Sequence, residues 1–137
     1  MRPKKTDFNY LVNAAKVARR NAHSPYSKVR IGAAALTSSG KVYTGCNVEN
    51  SSYGLSCCAE RVAIFKAVSE GHPDITALAV CGESEDFTSP CGACRQVMVE
   101  FNPSMKVLRR GDDGFSEDTT ADALLPSHFD PDELDRH

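Results

Sequence analysis

The chain lacks any apolar run near the roughly 18 residues that a membrane span requires. That excludes a spanning helix, and no membrane partner is expected. It also lacks a charge excess of one sign, with a formal net charge of −2. A dedicated nucleic-acid binder usually carries a basic balance, so the composition argues against nucleic acid as a partner. No apolar stretch of signal-peptide type follows Met1-Arg2-Pro3-Lys4-Lys5, and a cytoplasmic protein is expected. No internal repeat or low-complexity segment stands out. Histidine is scarce, and none of His23, His72, His128 and His137 stands at zinc-ligand spacing to a cysteine.

What is present fits one compact domain, residues 1–137, with 41% hydrophobic and 25% charged residues. Six cysteines stand at 46, 57, 58, 81, 91 and 94. Without a leader segment, metal binding or catalysis is a better use for them than a disulfide framework.

Apolar periodicity predicts a helix over 7–22, with Phe8, Leu11, Val12 and Ala15 on one face and Thr6 or Asp7 as its cap. Arg30–Leu36 and Lys41–Cys46 read as strands joined at Ser38-Ser39-Gly40. Asn47–Ser56 is polar and irregular, a segment able to carry function. Ser56 can cap a helix from Cys57 to Glu70 whose apolar face uses Val62, Ile64 or Phe65, and Val68. Ile75–Gly82 is a buried strand, Glu83–Pro90 a loop, and Gly92–Phe101 a second short helix stopped at Asn102-Pro103. Met105–Arg109 and a segment near Phe115–Thr119 are the last strands, and Thr120 opens a short helical stretch. Strands alternating with helices argue an α/β layered sandwich around one mixed sheet.

The chemistry concentrates in Cys58-Ala59-Glu60 and Pro90-Cys91-Gly92-Ala93-Cys94. Three thiols can hold a zinc ion and leave its fourth position open, and a carboxylate beside them can move protons there. The thiols fall at helix starts, where partial positive charge and free N–H groups favour the thiolate. Three thiolates on Zn²⁺ leave an electron-rich site. Arg61 and Arg95 each neighbour a motif residue and could draw charge from the sulfurs. A purely structural zinc would need a fourth ligand, for which Cys57 is the candidate. Adjacent helix residues point about 100° apart, which sets Cys57 against sharing the ion with Cys58. Cys46, Cys57 and Cys81 read instead as small buried or half-buried residues.

These two motifs are the all-cysteine form of the zinc deaminase signature. The wider chain resembles the small free-nucleoside cytidine deaminases. The shared stretches are Pro25-Tyr26-Ser27-Lys28, Ile31-Gly32-Ala33-Ala34, Gly45-Cys46-Asn47-Val48-Glu49-Asn50, Cys58-Ala59-Glu60-Arg61, Ser89 to Gln96, and Leu124-Leu125-Pro126 with Phe129. The resemblance implies a three-layer α/β/α sandwich around a mixed five-stranded sheet. It implies one zinc ion per subunit on Cys58, Cys91 and Cys94, with Glu60 as the proton shuttle. It further implies that Asn47 and Glu49 bind the ribose and that the backbones of Ala59 and Cys91 contact the base. Tyr53 and Phe129 would reach a neighbouring subunit's site in a homotetramer with shared active sites. The implied reaction is hydrolytic deamination of cytidine and 2′-deoxycytidine, a step of pyrimidine salvage. One position departs from the pattern: Val29 stands where the family usually has a phenylalanine that packs on the pyrimidine. That departure keeps a second substrate class in play, a cytosine-containing antibiotic nucleoside such as blasticidin S.

Overall fold

The computed structural model describes residues 8–129 and 134. A five-stranded sheet runs through it in the order β2-β1-β3-β4-β5. Its strands are β1 (Gly32–Thr37), β2 (Val42–Cys46), β3 (Ile75–Gly82), β4 (Lys106–Gly111) and β5 (Ser116–Thr120). Only β3 and β4 pair in parallel; the other neighbours are antiparallel. The sheet is therefore mixed. Helix α1 (Asn9–Ala18) covers one face. The other face carries α2 (Ala59–Ser69), α4 (Gly92–Phe101) and α5 (Ala121–Leu124). The expected three layers and five strands are present. No helix among the described residues is long and apolar enough to cross a membrane.

Alternation along the strands separates the two cores. Ala33, Ala35, Leu78 and Val80 face α2 and α4. Ala34, Ala77, Ala79 and Cys81 face Leu11, Val12 and Ala15 of α1. The predicted face of α1 is thus the buried one, although its expected caps, Thr6 and Asp7, lie outside the described residues. The helix stops at Ala18 and tightens into a 3₁₀ turn over Arg19–Asn21.

Helix α2 departs from its expectation at its start and over part of its face, where Ile64 is buried as expected. It begins at Ala59, with Cys58 as its extended N-cap residue. Ser56 does not cap it; the Ser56 hydroxyl accepts from the backbone N–H of Asn50 at 3.0 Å. The cause is a backbone bridge. Val48 and Cys57 exchange N–H···O bonds of 2.9 and 2.8 Å, which hold residue 57 extended. The buried face of α2 is Ala59, Glu60, Ala63, Ile64 and Ala67, while Phe65 is exposed. Small residues win here because β2 lies so close. A Cβ on Gly45 would stand 2.5 Å from the Ala63 nitrogen and 2.6 Å from the Ala59 oxygen. This contact seats the N-terminus of α2, and with it Glu60, against the sheet.

The expected loop at 83–90 contains a short helix, α3 (Glu85–Thr88). The helix at Gly92–Phe101 and the strand at Ile75–Gly82 match their predicted limits. At the C-terminal end, the Thr120 hydroxyl accepts from the Ala123 N–H and caps α5.

Candidate metal centre and adjoining cavity

Two helix starts meet at the sulfurs. Cys58 is the N-cap of α2 and Cys91 the N-cap of α4, and Cys94 lies in the first turn of α4. The Cys91 sulfur accepts from the Cys94 backbone N–H at 3.4 Å. The Cys58 and Cys91 sulfurs are 3.6 Å apart, and those of Cys91 and Cys94 3.4 Å. All three ligand atoms lie within 4.8 Å of one another. A tetrahedral ion with Zn–S bonds of about 2.3 Å spaces its sulfurs by about 3.8 Å, so the residues fit zinc. Cys57 lies outside this group. It is half-buried, as is Cys46, and Cys81 is buried; all six cysteines are free thiols. Burial raises the Cys57 thiol and lifts Cys81 to about 11, as expected of inert cysteines.

Of the three sulfurs, that of Cys58 is drawn toward its thiolate. Hydrogen bonding from Cys94, opposed by burial and helped by Arg61 and Cys91, brings Cys58 down to about 5. Cys94 is driven the other way by its bond to Cys58 and next by burial. The Arg61 guanidinium donates to the Cys58 sulfur at 3.6 Å. That contact raises the affinity of Arg61 for its proton. Arg61 is therefore where the charge argument needs it. Arg95 is not. It donates to the Pro90 carbonyl at 2.7 Å, the Leu124 carbonyl at 2.8 Å and the Ser89 hydroxyl at 3.0 Å. Those acceptors capture all its nitrogens, so Arg95 braces the segment entering Cys91 instead of serving the sulfurs.

A cavity of about 210 Å³ opens beside the sulfurs, lined among others by Ile31, Asn47, Glu49, Ala59, Glu60, Phe87 and Cys91. Glu60 is only 4% exposed. Burial, and next the nearby Cys58 thiolate, raise its carboxyl to about 7. Such a group can both take and release a proton near neutrality.

Asn47 and Glu49 organise the opposite wall. The Asn47 carboxamide accepts from the Ile31 N–H and donates to the Val29 carbonyl, each at 2.8 Å. Glu49 accepts from the N–H groups of Tyr26 and Ser27, each at 3.1 Å, and from the Ser27 hydroxyl. The Ser27 hydroxyl is the leading cause that holds the Glu49 carboxyl below its ordinary value. The two side chains thus clamp a loop in which Lys28 adopts a positive φ of 64°. Val29 is half-buried. It is joined to the wall through its carbonyl, and among the described residues it is not one that lines the cavity.

A second hollow, of about 450 Å³, is lined by Tyr26, Ser27, Glu49, Tyr53 and Ser56. Tyr53 meets Tyr26 edge-on at 5.9 Å. Tyr53 is 74% exposed and Phe129 57%, and Phe129 lines neither cavity. Sequence reasoning missed Phe87, Ser56 and Ile31 as wall residues. Ser56 and Phe87 sit in segments without periodic patterning, and only their closeness to Cys58 and Cys91 in the chain hinted at the site.

Comparison with known proteins agrees with this geometry. The family model for the cytidine and deoxycytidylate deaminase zinc-binding region matches residues 5–109. The cytidine deaminase of Sporosarcina psychrophila is 49% identical over 129 residues, covering 93% of this chain and 95% of that protein. That of Halalkalibacterium halodurans is 46% identical over 124 residues, covering 90% and 94%. The crystal structure of cytidine deaminase from Burkholderia pseudomallei superposes with a TM-score of 0.85 at 46% identity, covering 90% of this chain and all of that one. With a matching model, matching relatives and a matching fold, the chain belongs to the cytidine deaminase family of hydrolases.

Proposed function

We propose that this protein hydrolyses cytidine and 2′-deoxycytidine to the corresponding uridines and ammonia, a pyrimidine-salvage reaction. The observation that carries the reading is the buried Glu60 carboxyl, which shares one cavity with the three-sulfur group and the Asn47–Glu49 wall. Cys58, Cys91 and Cys94 would hold one zinc ion per subunit. Bound there, zinc would supply Lewis-acid activation of water.

The rest is work for the chain's own residues. Glu60 takes the proton that the attacking water loses and passes it to ring N3. It then delivers the second proton to the departing amino group, so water and cytidine leave as ammonia and uridine. Arg61 draws charge from the Cys58 thiolate. Ala59 is the first residue of α2, and its N–H has no partner within the helix, so it can meet the base edge. Glu49 accepts three hydrogen bonds from the 26–27 segment. A carboxylate has about four acceptor sites, which leaves one for a ribose hydroxyl. Asn47 has a second N–H to offer the same group.

The same family reading makes the protein a homotetramer in which Tyr53 and Phe129 complete a neighbour's site. The high exposure of both aromatics in the single chain supports it. Sedimentation of the intact protein as a monomer would contradict it.

A second substrate class has one observation in its favour, the absence of an aromatic ring at Val29. A panel of cytidine, 2′-deoxycytidine and blasticidin S, followed by ultraviolet absorbance, separates the two. The nucleosides are expected to turn over with kcat/KM at least tenfold above the antibiotic. The reverse order would overturn the nucleoside reading.

A further inference from the structure

Helix α3 has four residues, too few to be stable alone. Its conformation is imposed from the sheet. Arg109 of β4 is 6% exposed and donates to the Glu85 carbonyl at 2.8 Å and the Thr88 carbonyl at 3.1 Å. The same guanidinium is fixed by Glu117 at 2.8 Å and lies over the Phe115 ring at 4.9 Å. Thr88 points inward, fully buried, and its hydroxyl also donates to the Glu85 carbonyl at 2.9 Å. Both ends of α3 are thereby tied down.

Phe87 is the residue this bracing presents. It is 44% exposed, yet it lines the cavity shared by Glu60, Cys58 and Cys91. The exposed part of the ring forgoes burial that a ligand in the cavity can restore. Apart from Phe87, Ile31 is the one large apolar residue on the wall among the described residues; the others are polar, thiols or alanine. A pyrimidine is a flat ring, and a flat ring gains most from an aromatic partner. Val29, where the family usually has that partner, is not on the wall among the described residues.

We infer that Phe87, positioned by Arg109, is the aromatic wall against which the substrate base packs, and so a specificity-determining residue. This rests on the nucleoside reading above. The bonds that change are at N3 and the amino-bearing carbon, while the ring face against Phe87 stays in contact throughout, so the effect falls mainly on KM rather than kcat.

The test is steady-state kinetics on Phe87→Ala, Phe87→Leu and Phe87→Tyr, with zinc content measured for each. Phe87→Ala is expected to raise KM for cytidine about tenfold, with kcat and zinc within about twofold of wild type. Leucine should recover little of the loss and tyrosine most of it. Arg109→Lys, which loses the planar fork, should raise KM in the wild-type background and add nothing in the Phe87→Ala background. An unchanged KM in Phe87→Ala, or leucine matching phenylalanine, would overturn the inference while leaving the nucleoside reading standing. An equal Arg109→Lys effect in both backgrounds would remove Arg109 from it. A wild type inert on cytidine would overturn both the reading and the inference.

Discussion

Arg61 and Arg95 each sit one position after a motif residue, and in sequence they are indistinguishable in kind. In the fold one turns to a sulfur and the other to two carbonyls and a hydroxyl. Spacing predicts that a guanidinium is near a metal site. It does not predict which acceptors compete for it, because the Leu124 carbonyl arrives from far along the chain. The thiols were legible for the opposite reason: metal ligands must be close in space, and Cys91 and Cys94 are close in sequence too. Cys57 makes the sharpest check at this scale. It adjoins Cys58 but lies outside the three-sulfur group. Cys57→Ser is therefore expected to leave bound zinc near one per chain by atomic absorption, whereas Cys58→Ser should lose most of it. Loss of zinc in Cys57→Ser would support a structural, four-cysteine site.

Elements carry their own evidence, and it is uneven. Strand β3 and helix α4 were legible to the residue because a continuous apolar run and a Pro-terminated amphipathic stretch both have local causes. Helix α2 is only partly legible on its buried face. Large apolar residues point to Val62, Ile64 or Phe65, and Val68; Ile64 is buried and Val68 packs against the core, but the rest of the buried face is Ala59, Glu60, Ala63 and Ala67, with the Ala59 and Ala63 backbone against Gly45. Close approach rewards the smallest side chains, and hydrophobic size is then the wrong signal. Helix α3 was invisible because its cause is a guanidinium on β4, 21 to 24 residues further along the chain. The α2 contact yields a stability prediction. A methyl on Gly45 meets backbone atoms that cannot swing aside. Gly45→Ala is expected to cost about 1–3 kcal/mol in chemical denaturation, as overpacked cores do. Because the same shift displaces Glu60, activity should fall further than stability. A variant as stable as wild type would show that α2 does not rest on this contact.

At the scale of the molecule, the site exists only because four distant segments converge. The 47–49 segment leaves β2, the thiol-bearing helices start on one face of the sheet, and α3 closes the cavity from the β3–β4 crossover. Layer order was legible from alternating strands and helices, since each must bury a face against another. The walls of the cavity were less so, since they depend on which loops the sheet brings together. What the whole assembly provides is a three-sulfur corner with one buried, protonatable carboxyl at its edge. That carboxyl is the centre of the account, and a single substitution isolates it. Glu60→Gln keeps size and hydrogen bonding but cannot carry a proton. The direct measurement is cytidine turnover by ultraviolet absorbance, paired with zinc content, on this variant and wild type. The account predicts near-stoichiometric zinc in both and turnover reduced at least 1,000-fold in the variant, a loss of about 4 kcal/mol of transition-state stabilisation. Turnover within tenfold of wild type, with zinc retained, would contradict it.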